Sequence, residues 1–342
     1  MIVRARAPLR LGLAGGGTDV SPYCDQYGGY VLNATIDRYA YAVIKTREDP
    51  VVRFAASDQQ REDVLPVSEA LTADGTLALH RAAYREVIQL YNGGKAIPLE
   101  METFCDAPPG SGLGSSSTLV VAMVRALAEL LNIPLDDYAL AQLAFRIERI
   151  DCGLQGGRQD QYSAAFGGFN FMEFYGDERA IVNQLRIKNW VICELEASLL
   201  LFYAGVSRES ARIIAEQSRN LEAGQEGALE AMHNIKREAL VMKECLLKGN
   251  FEGIVESMRW GWASKKRLAE TVSPPHIEEI YRAAVEAGAL AGKVSGAGGG
   301  GFIMFFVPPD RRMDVVRALD AFHGQVSNCH FTKYGAQAWR IT

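Results

Sequence analysis

The sequence predicts a protein of mixed helices and strands, of the α+β class, built from two domains. The chain has 342 residues, 48% of them apolar, which is enough for about two hydrophobic cores. Between residues 97 and 131 an alternation of period two gives way to steps of three and four, which predicts a strand, a loop and a helix. The pattern changes again near residue 177, so we expect a domain boundary within Gly176 to Asn189. The predicted domains are residues 1–182 and 183–342.

The chain opens with a predicted strand over Ile2 to Leu13, followed by a glycine turn. Gly15 to Gly17 would present Thr18 and Asp19 on this turn. Three consecutive glycines are costly in conformational entropy, by roughly 0.5–1 kcal/mol each in a regular element. A ligand pressed against the backbone would explain that cost, and a flexible turn is the alternative.

Three further elements are predicted ahead of the central loop. Alternating β-branched and aromatic residues predict a strand and hairpin over Tyr30 to Glu48 and another strand over Val51 to Ser57. Residues 68–92 have a helical period, and we expect His80 there to lie at the surface rather than to bind a metal. A strand over Ile97 to Phe104 then enters the central loop.

The central loop, PPGSGLGSSS, is the strongest candidate for a binding site. Its glycines permit positive φ and a close approach of the backbone to a ligand, and its serines offer hydroxyls at a helix start. Free amides and the positive end of the helix dipole favour an anion there, the dipole by about 0.3–1 kcal/mol. An ordinary capped helix is the alternative interpretation. The predicted phosphate-binding residues are Pro109, Gly110, Ser111, Gly112, Leu113, Gly114, Ser115, Ser116 and Ser117.

This loop lacks the lysine of a Walker motif, since the chain has no lysine between Lys95 and Lys188. Backbone amides, serine hydroxyls and a metal ion would then have to neutralise the phosphates.

Two acidic residues bracket the next glycine-rich turn. Glu148 lies off the apolar stripe of a predicted helix over Pro134 to Gly153, and Asp160 follows the turn. Isolated acids are usually solvated. Beside a phosphate loop, however, this pair is a candidate for a metal ligand and a general base.

In the second half, residues 189–205 predict a strand pair that turns near Glu196 to Ser198. Residues 207–271 have a helical period with breaks near Gly224 and Gly249. We expect the basic run Ser264 to Arg267 to be a solvated helix face, with ligand contact as the alternative.

The last block predicts helix, strand, glycine loop, strand, helix and strand. Gly296, Gly298 and Gly301 match the dinucleotide fingerprint GxGxxG, but that fingerprint must open a helix and here FIMFFV follows. We therefore expect this loop to pack against the phosphate loop or a substrate. An oxidoreductase that binds NAD(P)H would be the alternative.

The bulk composition excludes several classes of function. A net charge of −5 argues against nucleic acid as a main partner. No apolar run approaches about 20 residues, and the arginine-rich start does not fit a signal peptide. The six cysteines are scattered without a CxxC pair, which suits reduced thiols. We expect a cytoplasmic protein without membrane contact, as a monomer or homodimer.

Three glycine-rich segments in this order resemble the GHMP small-molecule kinases. They are APLRLGLAGGGTD near the start, PPGSGLGSSS in the middle and KVSGAGGGGF near the end, so the likeness covers essentially the whole chain. The resemblance implies an N-terminal α/β domain with a left-handed βαβ unit and a C-terminal ferredoxin-like domain. It also implies that ATP is held by the middle segment at the cleft between them.

The resemblance implies roles for particular residues. Arg10 and Asp160 would be catalytic, with Asp160 orienting or deprotonating the acceptor hydroxyl. Ser116 and Glu148 would bind Mg²⁺. The residues expected to bind substrate are Gly16, Gly17, Thr18, Asp19, Arg208, Gly298 and Gly299.

Within the family, the first segment looks most like the kinases of D-glycero-D-manno-heptose 7-phosphate, which implies phosphorylation of the anomeric hydroxyl. Fucokinase-type domains are the closest competitor, and a sugar and nucleotide sensor without activity is the alternative of another class. A phosphorylated substrate needs a second cationic site. Its candidates are Arg6, Arg208, Lys265 and Lys266.

Overall fold

A computed structural model describes residues 1–72, 75–205, 210–222 and 227–341. Its strands are β1 (Ile2–Ala14), β2 (Gly29–Thr46), β3 (Val51–Ala56), β4 (Arg61–Pro66), β5 (Leu99–Cys105), β6 (Phe169–Phe174), β7 (Ala180–Gln184), β8 (Leu199–Tyr203), β9 (Ala291–Val294), β10 (Phe302–Phe306), β11 (Gln325–Asn328) and β12 (Gln337–Ile341). Its α-helices are α1 (Tyr23–Tyr27), α2 (Ala78–Tyr91), α3 (Ser115–Leu131), α4 (Asp137–Phe145), α5 (Gln159–Phe166), α6 (Asn189–Ser198), α7 (Ser210–Glu222), α8 (Ala228–Lys248), α9 (Phe251–Lys266), α10 (Pro275–Glu286) and α11 (Arg312–Leu319).

The larger sheet has eight strands in the order β12-β1-β2-β5-β3-β4, with β6 on β2 and β7 on β6. Its pairs are antiparallel except β3 with β5, which run parallel and are connected through β4 and α2. This connection is the place of the expected crossover, whose left-handed sense stays a prediction. Helices α2, α3, α4 and α5 cover one face of the sheet, and the largest hydrophobic core lies between them and the strands.

The smaller sheet is antiparallel, in the order β11-β8-β10-β9. A second core joins it to the large sheet: Leu9 and Leu11 of β1 share this core with Leu201 of β8 and Met304 of β10, together with side chains of α8 and α9. A third core packs α10 and α11 against the other face of the small sheet. The two sheets are therefore connected by a continuous apolar layer.

The chain returns to its beginning, because β12 pairs with β1 at the edge of the large sheet. The division into residues 1–182 and 183–342 stays a prediction. The pairing of β12 with β1 shows that the last strand belongs to the larger sheet. Among the described residues, no helix is both long enough and apolar enough to cross a membrane.

The strand pair predicted for residues 189–205 was half wrong, because residues 189–198 form α6 and only β8 is a strand. Val191, Leu195 and Ser198 are its buried residues, at steps of four and three, which is a helical spacing that the apolar run concealed. The hairpin predicted within residues 30–48 is a single strand, β2. It pairs with β1 along most of its length, with β6 near its start and with β5 near its end.

Two further predictions needed correction. The helix expected over residues 68–92 begins only at Ala78, after a short 3₁₀ turn at Val67–Glu69. His80, expected at the surface, is buried, and its Nε2 lies 2.8 Å from the Thr103 hydroxyl. Burial lowers the pKa of His80 to about 4, so the ring is neutral near pH 7. It is a hydrogen-bonded core residue.

Candidate active site

The three glycine-rich segments meet around one cavity of about 300 Å³. Its walls come from the end of β1, the starts of α3 and α5, the end of α9 and the loop between β9 and β10. The residues that line it include Arg10, Gly16, Gly17, Asp19, Gly110, Gly112, Gly114, Ser115, Ser116, Ser117, Glu148, Arg149, Gln159, Asp160, Gln217, Lys265, Lys293 and Gly296. The sequence therefore brings together elements separated by nearly three hundred positions.

The phosphate loop, Gly110 to Ser117, has the conformation that its glycines predict. Gly112 and Gly114 have φ values of 80° and 77°, which side-chain-bearing residues rarely adopt. Gly114 caps α3 without a side-chain hydrogen bond, and Ser115 donates to the Pro108 carbonyl at 3.4 Å rather than to the helix. The first amides of α3 are consequently open to a ligand, as anion binding requires.

Arg10 and Asp160 form the centre of the site. The Arg10 Nε lies 2.6 Å from the Asp160 Oδ1, and its NH1 donates to the Gly112 carbonyl at 2.6 Å. A methyl group built on Gly114 would lie 3.0 Å from the Asp160 Cγ, so this carboxylate is packed directly against the phosphate loop. Arg10 is 4% exposed and Asp160 is 18% exposed, which leaves the acid accessible from the cavity.

Glu148 faces the cavity because the helix changes its winding. After α4, residues Arg146–Asp151 form a π-helical turn, a distortion that is often found at functional sites. Glu148 is buried, and its Oε2 accepts a 2.7 Å hydrogen bond from Gln161 Nε2. The predicted helix over residues 134–153 thus starts later, at Asp137, and ends in this turn.

Arg149 brings a positive charge to the phosphate loop that the sequence analysis missed. Its NH2 donates to the Ser117 hydroxyl at 3.3 Å, and its NH1 lies 3.4 Å from the Glu148 carboxylate. The loop therefore has a cation beside it despite the absence of lysine.

Asp19 is held at the start of α5. Its carboxylate accepts hydrogen bonds from the Gln159 amide N–H at 3.0 Å and from Gln159 Nε2 at 3.1 Å. Thr18, which was predicted to contact substrate, does not line the cavity. It is buried, and its hydroxyl lies within 3.0 Å of the Tyr30 amide and carbonyl.

The basic run at the end of α9 is solvated only in part, because Lys266 is half-buried and Arg267 is exposed, but Lys265 is buried. Lys265 is 6% exposed and lines the cavity, and its Nζ donates to the Gly296 carbonyl. Lys293 is 5% exposed and donates to the Leu13 carbonyl at 3.0 Å, with Glu238 at 3.4 Å. Burial lowers the pKa of Lys265 to about 7, and the neighbouring positive charge of Lys293 adds to that effect.

Glu238 of α8 is the carboxylate behind these lysines. It is 1% exposed, and a methyl group on Gly261 of α9 would lie 2.0 Å from its Oε1, so only glycine leaves room for it. The Gly15 amide donates to its Oε2 at 3.4 Å, which connects the first glycine segment to the second domain. Burial raises the pKa of Glu238, and the nearby Lys293 opposes that rise.

The loop between β9 and β10 packs against the phosphate loop, as predicted. Ser295 Oγ donates to the Gly112 carbonyl at 2.8 Å, and the Phe302 amide donates to the Ser111 carbonyl at 2.9 Å. The strand that follows, β10, confirms that GxGxxG does not open a helix here.

Comparison with known proteins agrees with this arrangement. Residues 78–168 match the model of the GHMP kinase N-terminal domain, and residues 242–325 match that of the GHMP kinase C-terminal domain. The chain is 46% identical over 339 residues to a D-glycero-alpha-D-manno-heptose 7-phosphate kinase of Campylobacter jejuni, covering 99% of both chains. This chain belongs to the GHMP kinases.

Two further relatives place the chain within the GHMP kinases. A crystal structure titled as a D-glycero-D-manno-heptose 1-phosphate kinase from Bacteroides thetaiotaomicron superposes with a TM-score of 0.84 at 43% identity, covering 99% of each chain. An L-fucokinase/L-fucose-1-P guanylyltransferase of Bacteroides fragilis is 24% identical over 88% of this chain and 34% of the relative. These two heptose kinases are thus much more similar to this GHMP kinase than the Bacteroides fragilis fucokinase is.

Several residues predicted for the site of this GHMP kinase do not line the cavity. Ser111 and Leu113 are fully buried in the loop, and Pro109 is not on the cavity wall. Gly298 and Gly299 pack on Val272 instead, where the Gly299 amide donates to the Val272 carbonyl at 2.8 Å.

The four cations of this GHMP kinase that were predicted as candidates to bind the substrate phosphate differ in their positions. Lys266 pairs with Glu278 at 3.0 Å and Arg6 hydrogen-bonds to Gln337, so neither lines the cavity. Arg208 lies outside the described residues. Lys265 alone among the three described candidates is a cavity residue.

Proposed function

We propose that this chain transfers the γ-phosphoryl group of ATP to the anomeric hydroxyl of D-glycero-D-manno-heptose 7-phosphate, which yields the 1,7-bisphosphate. The observation that carries the proposal is the position of Asp160. Its carboxylate packs on Gly114 of the phosphate loop and pairs with Arg10 at 2.6 Å, so an acid and a cation flank the place where phosphates would lie. Similarity to a heptose 7-phosphate kinase over 99% of the chain supports the choice of acceptor.

In the proposed reaction, the anomeric oxygen bonds to the γ-phosphorus while the bond to the β–γ bridging oxygen breaks. Asp160 orients the hydroxyl and accepts its proton. Arg10 holds that carboxylate in place and stabilises the negative charge that develops on the transferred group. The open amides of Ser115 to Ser117 and the guanidinium of Arg149 bind the remaining phosphate oxygens.

Magnesium fits the donor set of this site. Ser116 and Glu148 line the same cavity and offer a hydroxyl and a carboxylate, the hard oxygen ligands that Mg²⁺ prefers. No group of three or more His, Cys, Asp or Glu side chains that could hold a metal exists among the described residues. This agrees with an ion that arrives with the nucleotide, since Mg²⁺ usually takes one or two protein ligands plus phosphates and water. When bound, Mg²⁺ would neutralise charge on the β- and γ-phosphates.

Gln161 would keep the predicted metal ligand in place. Its Nε2 bonds to Glu148 at 2.7 Å and lies 3.2 Å from the Ser117 hydroxyl, so it joins the π-helical turn to the phosphate loop. Asp19, fixed by Gln159, would accept hydrogen bonds from sugar hydroxyls at the other end of the cavity.

Release of ADP from ATP and Mg²⁺ tests the proposal across five acceptors: heptose 7-phosphate, heptose 1-phosphate, fucose, galactose and mevalonate. Heptose 1-phosphate is included because the names of the two similar kinases differ in the position of the phosphate. We expect the highest kcat/KM for heptose 7-phosphate, with an anomeric phosphate in the product by phosphorus NMR. Faster turnover of heptose 1-phosphate or fucose would reject this acceptor, and no sugar-dependent ADP release at all would favour a sensor.

A further inference from the structure

Lys265 is a buried cation on the cavity wall without an anionic partner. Its side chain is 94% removed from solvent, given its 6% exposure, and its Nζ donates to one backbone carbonyl, that of Gly296. Among the described residues, no carboxylate lies within the 4.0 Å that defines an ion pair with this ammonium. A buried charge without a partner is costly, so the site favours an anion that would supply one.

The charged groups near Lys265 are each engaged by other partners. Glu238 is shared, since Lys293 lies 3.4 Å from it and the Gly15 amide also donates to it. Arg10 is committed to Asp160. Asp19, the remaining acid near Lys265, is satisfied by the Gly17 and Gln159 amides and by the Gln159 side chain.

The position of Lys265 points to the acceptor rather than to ATP. A methyl group built on Gly16 would lie 3.9 Å from the Lys265 Nζ and 3.8 Å from Gln159 Nε2, so the lysine and the Gln159–Asp19 pair lie close to the same residue. The phosphate loop already has open amides and Arg149. The lysine therefore lies on the side of the cavity where sugar hydroxyls would bind.

We propose that Lys265, supported by Lys293, forms the subsite that binds the phosphate monoester of the acceptor and thereby selects phosphorylated over unphosphorylated sugars. This inference rests on the proposed function. A phosphate oxygen would receive hydrogen bonds from the Lys265 ammonium, which has donors free beside the one used on Gly296. Burial and Lys293 lower the pKa of Lys265 to about 7, and a bound dianion would restore its protonated form.

The test compares Lys265→Met with Lys266→Met, its neighbour on the same helix. Methionine keeps the length of the side chain and is apolar, so the buried site should tolerate it. Lys266 is partly exposed and paired with Glu278 at 3.0 Å, outside the cavity. The two variants remove the same charge at adjacent positions.

Each variant is assayed on heptose 7-phosphate and on unphosphorylated heptose, with ATP varied separately. We expect Lys265→Met to raise the KM for heptose 7-phosphate about 10- to 100-fold, as for loss of a hydrogen bond to a charged group. Its kcat/KM for heptose should stay within about threefold, and Lys266→Met should match the wild type on both. Equal losses on the two sugars, or a rise confined to the KM for ATP, would overturn the subsite.

A binding measurement separates this proposal from the proposed function. The wild-type chain is saturated with Mg²⁺ and a nonhydrolysable ATP mimic, and inorganic phosphate is then titrated while the melting temperature is followed. We expect phosphate to raise the Tm of the wild type and of Lys266→Met, but not of Lys265→Met. A wild type that binds phosphate through Lys265 but phosphorylates no heptose would refute the substrate and keep the subsite. A wild-type Tm that does not respond to phosphate would refute the subsite.

Discussion

The two ends of the cavity are built in different ways. At the donor end, the wall comes from one contiguous segment, residues 110–117, whose glycines and last three serines line the cavity beside Arg149. At the acceptor end, single side chains arrive from four separate elements: Asp19 after β1, Gln159 of α5, Lys265 of α9 and Lys293 of β9, with Glu238 of α8 behind them. The donor end therefore depends on backbone shape, and the acceptor end depends on buried charge.

Asp160 lies where the two ends meet, and its replacement has the largest expected effect. Asn cannot accept a proton, so Asp160→Asn should lower kcat by about 10²–10⁴-fold. The KM values for ATP and for the sugar phosphate should change little, because neither binding wall is altered. Steady-state kinetics with each substrate varied measures this.

The matched control for that prediction is Asp320→Asn, an exposed acid after α11 that should keep wild-type kinetics. A kcat for Asp160→Asn within tenfold of the wild type would show that positioning rather than proton transfer dominates at this residue.

The acceptor end should be sensitive to removal of its buried carboxylate. Glu238→Gln leaves Lys293 and Lys265 without their shared negative neighbour, and breaking a buried pair on one side typically costs about 3–5 kcal/mol. Urea denaturation measures the free energy of unfolding. Glu230→Gln is the control on the same helix: its pair with Arg267 at 3.5 Å is exposed, so the loss there should stay below about 1 kcal/mol. Equal stability of the two variants would mean that the Glu238 charge contributes nothing.

The donor end should instead respond to a single methyl group. An alanine Cβ at Gly112 would lie 2.3 Å from the Ser295 carbonyl oxygen at a φ of 80°, so the loop would have to move. We expect Gly112→Ala to raise the KM for ATP roughly tenfold or more, equivalent to about 1.4 kcal/mol, with a smaller change for the sugar. Gly94→Ala is the control, because Gly94 also has positive φ but nothing within 4 Å of an added Cβ. Equal KM values for ATP in the two variants would show that the methyl group at Gly112 does not disturb nucleotide binding.

The difference between the contiguous donor end and the dispersed acceptor end explains which parts of the site the sequence predicts. The phosphate loop and the start of α3 are local in the chain, and glycine and serine spacing predicts them without knowledge of the fold. Resemblance supplied Arg10, which is 150 positions from Asp160 and only 2.6 Å away in space. Local patterns therefore predicted the loop, but not the guanidinium of Arg149 beside it.

The acceptor end could not be found in that way. Lys265 and Lys266 are adjacent in the sequence. The helical period does not predict that Lys265 lines the cavity while Lys266 pairs with Glu278. Glu238 resembles any surface acid of a long helix until Gly261 of the next helix is seen to make room for it. Gly298 fits its motif as well as Gly296 does, but it packs on Val272. Which side chain faces inward is decided by packing between elements that are distant in the sequence.

The last prediction concerns pH, because Lys265 at the acceptor end titrates near neutrality. Burial and Lys293 lower the pKa of Lys265 to about 7, below the ordinary value of 10.5 that it regains on unfolding. Between these values the unfolded chain binds one more proton, so the contribution of Lys265 to stability rises with pH, by at most about 1.4 kcal/mol per unit. The charged groups acting on Lys265 are Lys293, Glu238, Arg10 and Asp19.

Urea denaturation at pH 7, 8 and 9 measures this contribution as the difference between the wild type and Lys265→Met. The contributions of other titrating groups largely cancel in this difference. We expect the wild type to gain stability relative to Lys265→Met as pH rises. Lys266→Met, which keeps Lys265, should follow the wild type at each pH. A difference that is independent of pH would mean that Lys265 remains protonated in the folded chain, with its charge compensated more fully than the single contact to Gly296 implies.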